Sequence, residues 1–109
     1  MKEIVKVTFP KRIKIGDLFI TIKLVKGEDF RGHLDDELSE MSLRDNMQPS
    51  ELFTTFIHEC LEVITRVQYL LYKCDVDRLI VIKHNQIDNV VIALSEALSQ
   101  IDIEYKEYK

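Results

Sequence analysis

The chain is expected to fold as one α+β domain, with N-terminal antiparallel strands in a hairpin or small sheet followed by two main amphipathic helices. Three observations lead there. The first half alternates apolar and polar residues at period two, and the second half changes to a helical period after Pro49. The length, 109 residues with 46% apolar and 31% charged side chains, suits a single hydrophobic core. The expected division is a β-rich part over residues 1–47, a helical part over 48–104 and a frayed polar tail over 105–109.

Ile4–Phe9 and Arg12–Ile15 read as strands separated by Pro10, which belongs at a strand end. Gly16-Asp17 makes a tight turn into a third strand, Leu18–Val25, so a hairpin is expected. Gly27–Phe30 reads as a second turn. Gly32–Asp35 and Glu40–Leu43 supply further short strands around the acidic loop Asp35-Asp36-Glu37. A helix is expected from about Ser50 to about Leu71, because Phe56, Cys60, Ile64, Val67 and Leu71 share one face of a 100° wheel. Ser50 fits the N-cap better by residue type than Gln48. Cys74-Asp75-Val76-Asp77 follows as a polar turn and Leu79–Ile82 as a short apolar run. A second helix starting at Asn85 then places Ile87, Val90, Val91, Leu94, Ala97, Leu98 and Ile101 on one face.

Composition excludes several classes. No window holds 18 uninterrupted apolar residues, and the charged start MKEIVKVTF is unlike a secretory signal, so a cytoplasmic protein with no membrane association is expected. Cys60 and Cys74 are too few for a disulfide scaffold. The formal net charge of −4 divides unevenly: +4 over residues 1–31, −7 over 32–62 and −1 over 63–109. Within the basic segment, KRIKI and ITIKLVK alternate Lys and Arg with Ile and Leu with no interleaved aromatics, so they read as the wet face of a sheet. No nucleic-acid partner is expected from them.

The residues able to carry chemistry lie on the first helix. His58 and Glu62 stand four apart and project from one strip, so they can converge on one ion. In H-E-x-x-H helices two histidines at this spacing bind zinc, and the Glu after the first acts as general base. Here the run is His58-Glu59-Cys60-Leu61-Glu62, with a carboxylate as second ligand. His84, at the border of the second helix's apolar face, is the candidate third ligand, and Glu59 is then free as base. That set requires residues 74–83 to run back along the first helix. His33 reads as a surface strand residue, Cys60 as a core thiol, and a Cys74–Asp75–His84 set as a minor alternative.

FTTFIHECLEVI, then LIVIKHNQI and ALSEALSQI, together with Arg31-Gly32-His33-Leu34-Asp35 and Met41-Ser42-Leu43-Arg44, resemble the small zincin-like proteins of phages and prophages. The resemblance covers most of the chain. It departs from the family pattern in the 26-residue step from His58 to His84 and in Val63, where Ala is usual. It implies a minimal metallopeptidase-like fold, with His58, Glu62 and His84 at the metal positions, one Zn2+ per chain and Glu59 as the base. The implied activity is metal-dependent peptide-bond hydrolysis, in the host cytoplasm for a phage-encoded protein. The alternative is a non-catalytic protein-interaction module that keeps the fold. Either reading takes a protein or peptide partner, and helices this apolar leave faces that suit a homo-oligomer.

Overall fold

Ile15 closes one strand, Leu18 opens the next, and the two residues between them set how the strands meet. In the computed structural model of the protein, Gly16 takes φ 60° while Asp17 stays at negative φ. This is the type II′ pattern, whose twist matches the flanking strands. The structure describes residues 2–26, 30–35, 37–67, 71–73, 78–80 and 82–107, with 71–73 and 78–80 given by their backbone alone. The elements in order are Lys2–Thr8 (β1), Arg12–Ile15 (β2), Leu18–Val25 (β3), Gly32–Leu34 (β4), Glu40–Arg44 (β5) and Pro49–Val67 (α1). Leu71–Lys73 (β6), Arg78–Ile80 (β7), a 3-10 turn over His84–Gln86, Ile87–Ser99 (α2) and Asp102–Glu107 (β8) complete the chain.

The fold is α+β, with N-terminal strands and two helices. Its main sheet has the order β2-β3-β5-β4. β2–β3 and β4–β5 pair antiparallel, but β3 and β5 run parallel, Thr21 opposite Glu40 through Val25 opposite Arg44. The expected all-antiparallel arrangement is corrected at that pair: β4 has taken the hairpin position beside β5, so β5 meets β3 in the same direction. Ile13, Ile15, Ile20, Ile22, Met41 and Leu43 point to one face and are buried. Both helices pack on that face, contributing Phe56, Cys60, Val63 and Ile64 from α1 and Val90 and Ala97 from α2. At roughly 25 cal/mol per Å2 of apolar surface, this shared layer is the main favourable term in folding.

α1 begins at Pro49, one residue earlier than expected, and Leu52 N–H donates to Gln48 O at 2.9 Å. Gln48 is therefore the cap position and Ser50 lies inside the helix. Proline suits the first helical position because its missing N–H would have had no partner there. At the other end α1 stops at Val67, and β6 opens at Leu71, so the expected continuation to Leu71 is replaced by a strand. Residues 68–70 lie outside the described residues, as do the Gly27 turn, Asp36 and the Cys74–Asp77 turn.

The tail is the largest departure. Residues 105–107 are not frayed: β8 pairs antiparallel with β1 from Lys2–Glu107 to Thr8–Asp102, with an irregularity between Ile4 and Lys6. α2 ends at Ser99, so Ile101 is buried just beyond the helix rather than on its face. The partner that orders this tail is the first strand of the chain, far away in sequence.

Gln100, between α2 and β8, closes one edge of the main sheet. Its side-chain amide accepts from Lys14 N–H at 2.7 Å and donates to Lys14 O at 2.7 Å, as a neighbouring strand would, and it also donates to Glu96 O at 2.9 Å. An edge strand with unpaired peptide groups is a template for unwanted pairing, and this amide occupies β2's. The opposite edge, β4, carries no such cap among the described residues.

Candidate functional site

β4 and α1 meet at Gly32. A Cβ placed there would lie 2.8 Å from Thr55 Cγ2 and 3.0 Å from both Cγ and Oε1 of Glu59. Real Cβ atoms do not approach side chains that closely, so the position requires glycine on grounds of space alone, its φ being unexceptional. This contact explains a misreading of the helical wheel. Thr55, Glu59 and Thr65 lie within the polar arc, but that arc is not wholly solvated: Thr55 is 9%, Glu59 7% and Thr65 3% exposed. β4 covers the part of the arc that holds Thr55 and Glu59.

Around this contact Arg31, Gly32, Thr54, Thr55, His58 and Glu59 line a cleft of about 370 Å3. Glu59 forms its buried wall, and no hydrogen bond from a described residue reaches its carboxyl. Burial pushes its pKa up by penalising the charged form. The neighbouring His58 works against that shift, Glu62 adds to it, and His33 and Arg66 lower it. His33, read from the sequence as a plain surface residue, thus acts electrostatically on Glu59 from β4. Only the strand pairing reveals that link.

His58 is exposed, with its side chain 68% accessible, and its Nε2 lies 3.5 Å from Glu62 Oε1. The other oxygen of Glu62 accepts from Arg66 Nη2 at 3.4 Å. The spacing of four along α1 therefore brings His58 and Glu62 together as expected. His84 lies at the start of another element. It opens the exposed 3-10 turn, and the chain reaches it through the β6–β7 hairpin, in which Leu71 faces Ile80. Facing residues of a hairpin lie about 5 Å apart, so the excursion from Leu71 to Ile80 brings no net travel. Among the described residues, no three His, Cys, Asp or Glu side chains gather into a metal-holding group.

No family model, curated protein or solved structure matches this chain. The fold and the site geometry therefore carry the functional reading by themselves. Cys60 adds no reactivity: it is buried, and burial together with nearby Glu59 pushes its thiol pKa up to about 12, so it stays protonated as a core residue. Asp35 has a purely structural part. Its carboxylate accepts from Ser39 N–H at 2.7 Å, Glu40 N–H at 3.0 Å and the Ser39 hydroxyl, bonds that hold its pKa below the ordinary value. This clasp carries the chain from β4 to β5 through Leu38 at φ 56°.

The raised pKa of Glu59 has a thermodynamic consequence. Its folded-state pKa lies above its unfolded one, so the folded state binds more protons between the two values, and stability falls as pH rises through that window. Glu59→Gln removes the ionisation. It is expected to raise Tm at pH 7 and to leave Tm nearly unchanged at pH 4, where the native carboxyl is largely protonated. Thermal melts across that range check this, and an equal shift at both pH values would contradict it.

Proposed function

We propose that the chain is a zincin-like peptide-binding domain whose ligand lies as an added strand along β4, beside the Glu59 cleft. The observation that carries the reading is the outer edge of β4, which no strand among the described residues pairs. Arg31 O accepts from Arg44 N–H at 2.9 Å and Asp35 N–H donates to Glu40 O at 3.2 Å. Residues 31, 33 and 35 therefore turn their peptide groups toward β5, and the alternation leaves those of Gly32 and Leu34 facing outward. An extended peptide can take up these donors and acceptors, as in other cases of strand addition. It would then pass the cleft lined by Arg31, His58 and Glu59. Gln100 caps the opposite edge, which directs strand addition to β4.

A second reading, metal-dependent hydrolysis, is favoured by one distance. Two donors on a tetrahedral zinc at about 2.0–2.1 Å stand roughly 3.3 Å apart, and His58 Nε2 and Glu62 Oε1 are separated by 3.5 Å. Their chemistry and spacing suit zinc, and His84 is the third ligand that the family resemblance implies. A zinc ion bound there would supply Lewis acidity toward water and a peptide carbonyl. Glu59, whose burial raises its proton affinity, would hold the proton taken from the attacking water. Arg66 would keep the second oxygen of Glu62 in place.

Two measurements separate the readings. In a backbone-amide NMR titration with peptides from a tryptic digest of casein, the largest shifts are expected at Gly32 and Leu34. Shifts that avoid β4, or none at millimolar peptide, would overturn the strand-addition reading. Titration calorimetry with zinc alone tests the second reading. One equivalent bound by the native protein, and weakened at least tenfold in His58→Ala, Glu62→Ala and His84→Ala, is the expected result for a hydrolase. Absence of zinc binding would reject it and leave a non-catalytic module.

A further inference from the structure

The helices cover one face of the main sheet, and the other face has its own character. Strand register defines it. Arg12 faces Thr21 and Lys14 faces Phe19 across β2–β3. Thr21 then faces Glu40, Lys23 faces Ser42 and Val25 faces Arg44 across β3–β5. Facing residues share a side of the sheet, so Arg12, Lys14, Phe19, Lys23 and Arg44 all lie opposite the buried isoleucines. Phe19 is 55% exposed, although a phenylalanine at a free choice of site would be buried. The Arg12 guanidinium stands over its ring, 4.8 Å from the centroid. The described carboxylates on this side are Glu40, paired with Lys23 at 3.1 Å, and Asp35, engaged in its loop clasp. Lys23 is thus already paired with Glu40, and Arg12, Lys14 and Arg44 leave this side of the sheet with more positive than negative charge among the described residues.

In linear order the runs KRIKI and ITIKLVK hold no interleaved aromatic, Phe19 falling between them, and this is why no nucleic-acid partner is expected from them. The fold supplies what the linear order lacks. Pairing β2 with β3 sets Phe19 among Arg12, Lys14 and Lys23, and the 3.3 Å rise of a strand spaces the cations along the sheet. An open sheet face bearing an accessible ring under a guanidinium plane, bordered by further cations, has the parts used to bind single strands. Bases stack on the ring or the guanidinium, and phosphates meet the cations. We infer that the outer face of the sheet, centred on Phe19 and Arg12, binds single-stranded nucleic acid without strong sequence preference. An acidic peptide would satisfy the cations but would leave Phe19 unused, so the exposed ring favours the nucleic acid. This face lies on the opposite side of the sheet from the helix layer, and its test is independent of the peptide reading.

Fluorescence anisotropy with a labelled 15-nucleotide oligo-dT, titrated with the full chain at 20–150 mM salt, tests the inference. Binding is expected to weaken with salt, and Arg12→Gln with Lys14→Gln should reduce the slope of log K against log salt by about 1.4, at roughly 0.7 per phosphate contact. Phe19→Ala is expected to weaken binding about tenfold at unchanged slope, as the loss of one stacked base does. It should have no effect on binding to a 15-base-pair duplex. Unchanged circular-dichroism melts establish that these surface variants remain folded. No binding at 20 mM salt overturns the inference. So does an undiminished slope in the Arg12/Lys14 variant, or competition by poly-glutamate as effective as that by unlabelled oligo-dT.

Discussion

The packing of Gly32 against Thr55 and Glu59 is the constraint from which the site follows. The edge strand of the sheet lies so close to the middle of α1 that even a methyl group has no room between them. The glutamate that a free amphipathic helix would keep in water is drawn under the strand and loses part of its hydration, and its affinity for a proton rises. His58, one residue earlier on the helix, is turned about 100° away and stays in solvent. The other edge of the strand that buries Glu59 is unpaired among the described residues. A protonatable carboxyl, an exposed imidazole and two outward-facing peptide groups are thereby assembled beside one cleft by a single close approach between elements.

The charge distribution follows the same division of the sheet. The basic side chains of β2 and β3, Arg12, Lys14 and Lys23, lie on the side of the sheet away from the helices, because period-two alternation puts the isoleucines between them on the buried side. The carboxylates of residues 32–62 are spread over the clasp loop, β5, the turn after it and α1. A net charge of −4 thus conceals a molecule with a basic outer sheet face and an acidic helix and loop region. The peptide edge and the basic face use different groups, backbone on β4 and side chains on β2 and β3. One can be altered without the other.

Where the information is local, the residues announce the fold. β2 and β3 fall at the positions that alternation assigns, Gly16 makes the turn, and the His58–Glu62 pair meets because a helix brings positions four apart together. What eludes the sequence is set by pairing over long distances. β8 is ordered by β1, about a hundred residues earlier, and nothing in EYKEYK announces that partner. A helical wheel assigns Glu59 to the polar arc but cannot say that β4 lies over it. Gly32 was the available clue, since a glycine inside a strand marks a close backbone approach. The antiparallel pairing of Leu71–Lys73 with Arg78–Ile80 escapes in the same way, because two runs of three residues do not announce each other.

The central claim is that steric exclusion at Gly32, with no help from backbone conformation, holds β4 against α1. A double-mutant cycle with Gly32→Ala and Thr55→Ser, read by urea denaturation, tests it most directly. Gly32→Ala alone is predicted to destabilise by about 1–3 kcal/mol, the range for an overpacked methyl group. In the Thr55→Ser background, which lacks the Cγ2 that the new methyl meets, the cost should fall by at least about 0.5 kcal/mol, beyond what independent sites show. A neutral or stabilising Gly32→Ala, or a cost that is the same in both backgrounds, would contradict the account.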